Sequence, residues 1–241
     1  MNKLTIRSRH RTKSGKEFLE SLIDPIDWLS ETIFSILILL LYILAFRVIM
    51  LSGTPQATIS HDIVNELLIG ALGAVLAWGM IDGIMYALTS VFERGERHRL
   101  LRDIQAARSE QEALDIIAED MDYLLEPIAG EDVRKALYSS VLTHLLNSAP
   151  RNIGLKREDI TGVLGHVLVA ILAVIPSIIP FFVFRYDYYL AIRISIFVSF
   201  VVLFLSGFRW GKYAGANPWK TGLLIMSIAV ILVLIAFLLE G

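Results

Sequence analysis

Five long apolar stretches constrain this chain more than any other feature of its sequence. The hydrocarbon core of a bilayer is about 30 Å thick, so a helix that rises about 1.5 Å per residue needs about 20 apolar residues to cross it. Hydrophobic residues make up 55% of the 241 and charged residues only 19%. Five stretches reach the required length, and they predict an all-α, polytopic membrane protein with about five transmembrane helices: 32–52, 67–92, 160–184, 188–208 and 221–239.

The distribution of lysine and arginine predicts the orientation of these spans. Six basic residues precede the first span, none lies in 53–66, and ten lie in 93–159; the two later connections carry one, at 185–187, and three, at 209–220. Cytoplasmic loops carry the excess of basic residues. We therefore expect a multi-pass protein with a cytoplasmic N-terminus and an external C-terminus, and we expect it in the plasma membrane.

The spans divide the chain into segments, and the residue composition and the absence of known motifs exclude several classes of protein. The chain has no cysteine, so disulfides, thiolate ligands and a cysteine nucleophile are excluded. It shows no phosphate-binding glycine loop and no hydrolase or metalloprotease motif, so we expect no enzyme, and its net charge of −2 gives no sign of nucleic acid binding. The expected segments are a basic cytoplasmic N-terminal segment (1–31), two spans (32–92), a cytoplasmic helical insert (93–159) and three spans (160–241).

The insert has the pattern of amphipathic helices. It holds fourteen acidic residues beside ten basic ones. Apolar residues that recur every three or four positions mark the buried stripe of a helix. Such a stripe is predicted at Leu114, Ile117, Met121 and Leu124, and a second helix is predicted from Glu131, with Val133, Leu137, Val141 and Leu145 buried.

An acidic stripe follows the first of these helices on a different face. Carboxylates one helical turn apart can share a hard divalent cation, so the stripe is a candidate metal site. The alternative is a solvated helix face, which is common in soluble helices. The four candidate metal ligands are Glu112, Asp115, Glu119 and Asp122.

Asp82 is the one charged residue of the second span. It lies about ten residues inside the predicted cytoplasmic end, which places it about 15 Å deep. An ionised carboxylate at that depth costs at least about 2.5–3.5 kcal/mol to insert, so such groups usually face a bundle interior and belong to ion pathways. The alternative is a structural hydrogen bond, or an ion pair with Arg193 or Arg47.

Helical spacing extends a polar face from Asp82 toward the cytosol. At 100° per residue this face predicts an ion pathway with Asp82 as a metal ligand. Gly79 and Gly83, four residues apart, would let another helix approach closely on the same side, and a homodimer contact is one use for them. The pathway residues predicted here are Asp82, Tyr86, Ser90 and Glu93.

The third span contains two prolines four residues apart. Pro176 and Pro180 lack backbone donors, so the carbonyls of Leu172 and Pro176 are expected to be free. Broken helices of this kind coordinate cations in transporters, although a neighbouring serine or water can satisfy the same carbonyls. We therefore include both prolines in the candidate pathway. His166, near the start of this span, could titrate or bind metal, or could be an ordinary interface residue.

Several short motifs resemble the vacuolar iron transporter family. They are the Asp82-Gly83 pair, the run Ile175-Pro176-Ser177-Ile178-Ile179-Pro180-Phe181, the run Leu203-Phe204-Leu205-Ser206-Gly207, and the run Pro218-Trp219-Lys220-Thr221-Gly222-Leu223. They cover about 100 residues with the segments between them, mostly in the C-terminal third. In that family the Asp-Gly pair lies in the first span, whereas here it lies in the second.

The resemblance implies a function and an assembly. Members of that family have five spans, an acidic cytoplasmic insert that binds metal, and a dimeric pore, and they move ferrous iron or manganese out of the cytosol; the resemblance implies proton-coupled export. It follows that the expected cargo is a divalent metal ion, with no tightly bound cofactor, and that the expected partners are the lipid bilayer and a second copy of the chain. A second hypothesis, from a different class, is a membrane-anchored interaction protein whose insert docks a partner without transport.

Overall fold

A computed structural model describes residues 25–51, 61–149 and 152–240. These residues form seven α-helices and no strand, which confirms the predicted all-α class. The basic residues at positions 3–16 lie outside the described part of the chain, as does most of the loop 53–66. In chain order the helices are α1 (Pro25–Leu51), α2 (His61–Ala106), α3 (Glu110–Leu125), α4 (Glu131–Leu146), α5 (Arg157–Val183), α6 (Tyr188–Tyr213) and α7 (Pro218–Glu240).

Five of the seven helices are long and apolar enough to cross a membrane. They are α1, α2, α5, α6 and α7, in the order that the hydropathy of the sequence predicts. The chain is therefore an integral membrane protein with multiple spans. One boundary is corrected: α1 already runs from Pro25, seven residues before the predicted start at Thr32. Glu31 is consequently part of the first spanning helix.

The chain divides into two compact units. The membrane unit comprises the described residues within 1–86 and 160–241, and the insert unit comprises those within 87–159, where the sequence predicts an insert at 93–159. Helix α2 contributes residues to both, because it continues without a break from His61 to Ala106.

The core of the membrane unit is built on one face of α1. Ile36, Leu39, Leu40 and Ile43 are completely buried there, and α1 packs against α6 and α7. Small residues let α6 and α7 approach closely, as is usual for helices in membranes. A Cβ atom at Gly207 would lie 2.9 Å from the carbonyl oxygen of Thr221, so any larger residue would separate the two helices.

The insert unit contains a helical hairpin of α3 and α4 with its own apolar core. Ser109 caps α3 by accepting a hydrogen bond from the Glu112 amide, and the Glu112 carboxylate accepts one from the Arg108 amide in return. Helix α4 begins at Glu131, as predicted. Five fully buried side chains form the centre of the core: Ile104, Ala113, Ile117, Tyr138 and Leu142.

Three residues predicted to be buried in this hairpin are exposed. Leu124, Val133 and Leu137 expose 57%, 63% and 40% of their surface. All three occupy positions that fit a helical pattern. Val133 and Leu137 are exposed because α4 turns its adjacent face, with Tyr138 and Leu142, toward α3. The aromatic ring of Tyr138 supplies apolar surface that a pattern of aliphatic residues does not reveal.

Candidate intramembrane ion site

Glu31 is an acidic residue buried completely inside the membrane unit. Its exposed fraction is 0%, and it lies two turns into α1. The hydroxyl of Ser35, one turn further along, donates a hydrogen bond of 3.1 Å to Oε1. The other oxygen, Oε2, is buried and accepts no hydrogen bond from the described residues. Buried carboxylate oxygens are normally satisfied, so this oxygen lacks the partner it needs.

The carboxyl group of Asp82, on α2, interacts with that of Glu31. The two are close enough for a hydrogen bond and for a direct charge interaction. A hydrogen bond between two carboxyl groups requires a proton on one of them, because an ionised carboxylate only accepts. Two ionised carboxylates within hydrogen-bonding reach repel each other, and the low polarity of the membrane makes that repulsion stronger. The pair therefore needs a proton or a cation.

His166, on α5, also lies near Asp82. Its Nε2 atom is 3.8 Å from Oδ2 of Asp82, which is too long for a hydrogen bond but leaves the two groups facing each other. The ring is 97% buried, and Nδ1 lies 2.9 Å from the carbonyl oxygen of Gly162. Because a carbonyl only accepts, Nδ1 carries the hydrogen and Nε2 is free to take a proton or to bind a cation.

The ring of Tyr86 packs against the ring of His166. Its centroid lies 5.1 Å from that of His166. The tyrosine fits because position 162 is a glycine: a Cβ atom there would lie 2.2 Å from Cε1 of the Tyr86 ring. Of the predicted pathway residues, the structure thus brings Asp82 and Tyr86 together.

Two glycines bring α2 and α5 close enough for the contact between Asp82 and His166. A Cβ atom at Gly83 would lie 2.8 Å from Cα of Val163, and one at Gly79 would lie 2.8 Å from Cβ of Ala170. The predicted close approach is therefore made by a helix of the same chain. These glycines give no separate support to a homodimer, which stays a prediction from the family resemblance.

The other predicted pathway residues lie further along α2 and α5. Ser90 and Glu93 belong to the insert unit, and Glu93 pairs with Arg97 at 3.0 Å. Pro176 and Pro180 lie ten and fourteen residues beyond His166 on α5, which is about 15 and 21 Å along the helix. The structure does not bring them to Asp82. Arg47, an alternative partner for Asp82, lies over the ring of Phe237.

Helix α5 runs through both prolines, and the free carbonyls of Leu172 and Pro176 stay a prediction. Two buried serines of α6 contact Ser177, which lies between the prolines. The Ser195 hydroxyl donates to the carbonyl oxygen of Ser177 at 2.5 Å, and the Ser199 hydroxyl lies 3.0 Å from that of Ser177. Polar contacts from a neighbouring helix are one way in which membrane proteins tolerate proline within a span.

The acidic stripe of the insert is not gathered into one site. Glu112 caps its own helix, Asp115 accepts a hydrogen bond from Gln111, and Asp122 binds Arg134 and Tyr138. Glu119 is exposed. Within the described ranges, no three carboxylate or imidazole side chains are grouped as a metal ion would require, in the stripe or at Asp82. Metal binding by the stripe stays a prediction.

The sequence pattern did not identify Glu31, because the first span was predicted to begin at Thr32, directly after this charged residue. A signal was present: Ile26, Trp28 and Leu29 continue the apolar pattern toward the N-terminus, so Glu31 interrupts a span rather than preceding one.

No family model matches the chain, and neither a curated protein nor a solved structure matches it significantly.

Proposed function

We propose that this chain is a multi-pass transporter that moves divalent metal ions, ferrous iron or manganese, out of the cytosol in exchange for protons. The observation that carries the proposal is the fully buried Glu31, whose Oε2 lacks a hydrogen-bond partner among the described residues and whose carboxyl group interacts with that of Asp82. Buried ionisable groups within spanning helices are costly and typically mark ion pathways.

Charge is the reason for a divalent cargo. Two carboxylates neutralise two positive charges, and carboxylate oxygens are ligands that suit manganese and ferrous iron. Asp82 is 40% exposed at its side chain, so the pair is reachable from outside the helix core. Backbone carbonyls and water would complete the coordination of a passing ion. The resemblance to vacuolar iron transporters supports the same cargo.

The same pair provides a means of coupling. In the absence of metal, a proton shared between Glu31 and Asp82 removes the repulsion between them. A metal ion that binds to both must displace that proton, since carboxylate ligands bind metals in the deprotonated form. His166 Nε2 lies beside Asp82 and can accept a proton. Metal would enter from the predicted cytoplasmic side, where the acidic insert collects it, and a dimer of two such chains is part of the proposal.

Transport by purified protein in proteoliposomes tests this function. With an imposed proton gradient, the wild type should accumulate manganese or ferrous iron, and both Glu31→Gln and Asp82→Asn should reduce the rate to background. Glu66→Gln is the matched control, because Glu66 is an exposed carboxylate on the same helix as Asp82. Undiminished transport by correctly folded Asp82→Asn protein would overturn the proposal.

An interaction protein is the second candidate, and one observation favours it. Apolar side chains are exposed around the turn between α3 and α4, with Tyr123 at 74%, Leu124 at 57% and Ile128 at 79%. Exposed apolar clusters of this kind mark protein contacts. This candidate predicts that wild-type protein moves no metal and that Ile128→Glu disrupts the binding of a partner.

A further inference from the structure

A groove on the surface of the membrane unit lies between α1, α5 and α6. Its volume is about 320 Å³, within the range of roughly 300–1,000 Å³ that is typical of small-molecule sites. The walls are mainly apolar, with Leu172 and Ala173 of α5, and Leu205 of α6, among them. Leu172 and Leu205 expose 43% and 53% of their surface, so the groove opens away from the core of the unit.

One end of the groove is charged. The exposed side chain of Arg209, in the last turns of α6, lines it together with Trp28 of α1. Among the described residues no carboxylate pairs with Arg209. A guanidinium near the end of a spanning helix extends toward the headgroup region, where tryptophan is also enriched. The groove is therefore apolar along its length and positive at one end.

We propose that this groove binds an anionic phospholipid, with one acyl chain along the apolar walls and the headgroup phosphate on Arg209. The spanning helices that form the groove are surrounded by lipid, so a lipid is always available to fill it. The planar guanidinium matches phosphate geometry with two parallel hydrogen bonds. Lys212, in the last turn of α6, and Lys220, in the first turn of α7, add positive charge that favours an anionic headgroup over a zwitterionic one.

The predicted orientation places this end of the groove in the cytoplasmic leaflet. The start of α1 and the end of α6 both face the side that carries the excess of lysine and arginine. Basic pockets between helices on that side typically hold anionic headgroups. The site shares no residue with the pair Glu31 and Asp82, so it is independent of the proposed transport.

Native mass spectrometry of the full-length protein, extracted from a mixture of phosphatidylglycerol and phosphatidylcholine, tests the site. The wild type should retain one phosphatidylglycerol preferentially, and Arg209→Gln should weaken that retention about five- to tenfold, the size expected for one basic residue at a lipid headgroup. Arg193→Gln is the matched control: Arg193 is an exposed arginine on the same helix but does not line the groove.

A second variant tests the acyl chain. Ala173→Phe fills the apolar wall without changing any charge, and it should release the retained lipid even if Arg209→Gln protein folds poorly. Equal retention of the two lipids by the wild type, the same loss in Arg193→Gln as in Arg209→Gln, or unchanged retention in Ala173→Phe would each overturn the proposal.

Discussion

At the scale of single residues, the contact between Asp82 and His166 depends on glycines that lie beside them. The Gly83 backbone lies against the backbone of Val163, and a Cβ atom would come within 2.9 Å of the Val163 carbonyl oxygen. Backbone atoms cannot move aside as a flexible side chain can. The distance between α2 and α5, and with it the position of His166 relative to Asp82, is therefore set by the absence of a side chain at 83.

Gly83→Ala should lower the stability of the membrane unit and reduce transport. The added methyl group forces α2 and α5 apart, and overpacking of this kind costs about 1–3 kcal/mol. Thermal unfolding in detergent, followed by circular dichroism, measures the change. Gly73→Ala is the control on the same helix, since a Cβ atom there meets nothing within 4 Å. An equal loss of stability in both variants would contradict a specific role for Gly83.

Residue patterns in the sequence predict half of the candidate site. Asp82 is recognisable because it is the one charge in an apolar stretch, and Gly79 and Gly83 because of their spacing. Glu31 and the role of His166 are not recognisable in the same way. Burial of Glu31 depends on how far α1 extends beyond an apolar run, and the approach of His166 to Asp82 depends on the register between α2 and α5. The first becomes visible only when the apolar residues before Glu31 are included in the span, and the second is not encoded in a local pattern.

At the scale of elements, the hairpin of α3 and α4 is held by a polar contact beside its apolar core. Asp122, on α3, accepts hydrogen bonds from Arg134 and from the hydroxyl of Tyr138, both on α4; the latter bond is 2.6 Å long. Burial of the phenol, together with the hydrogen bond and the negative charge of Asp122, raises the pKa of Tyr138 above its ordinary value.

This raised pKa makes the hairpin sensitive to alkali. Because folded Tyr138 holds its proton more tightly than the unfolded chain does, its contribution to stability is complete below about pH 10 and is lost as the pH rises through the folded pKa. Tyr138→Phe, which cannot ionise, should therefore lose less stability between about pH 8 and pH 11 than the wild type, even though it is less stable at pH 8.

Thermal unfolding at the two pH values measures this difference. Tyr123→Phe is the matched control, because Tyr123 is 74% exposed and lies on the same hairpin. It should keep the pH dependence of the wild type. If Tyr138→Phe also kept that dependence, alkaline loss of stability would have another origin.

Local sequence predicts the helices of the insert better than their contacts. The cap at Ser109 and the start of α4 at Glu131 follow from capping rules and periodicity. The acidic residues of α3 have different roles, because Glu112 lies in the first turn, where it caps, and Asp122 lies opposite Arg134 of the next helix. Periodicity assigns all of them to one stripe and does not distinguish these neighbours.

At the scale of the whole molecule, the basic residues in the connections predict the orientation of the five spans. The chain contains no cysteine, so single cysteines can report their side of the membrane without any background. Ser140→Cys, in α4, and Ala216→Cys, between α6 and α7, should be protected from an impermeant maleimide added outside intact cells. Tyr186→Cys, between α5 and α6, should be labelled, since Tyr186 is 95% exposed.

Labelling of the lysed cells is the control that all three cysteines can react. Protection of Tyr186→Cys together with labelling of the other two from outside would show the opposite orientation. That result would reverse the proposed direction of transport but would leave the intramembrane pair in place.

The central claim is that Glu31 and Asp82 exchange a shared proton for a metal ion. The number of protons released when manganese binds to purified, weakly buffered protein tests it most directly. The wild type and Glu66→Gln should each release protons in proportion to the metal bound, and Glu31→Gln should lose both the binding and the release. Manganese binding without proton release, or unchanged release from Glu31→Gln, would contradict the account.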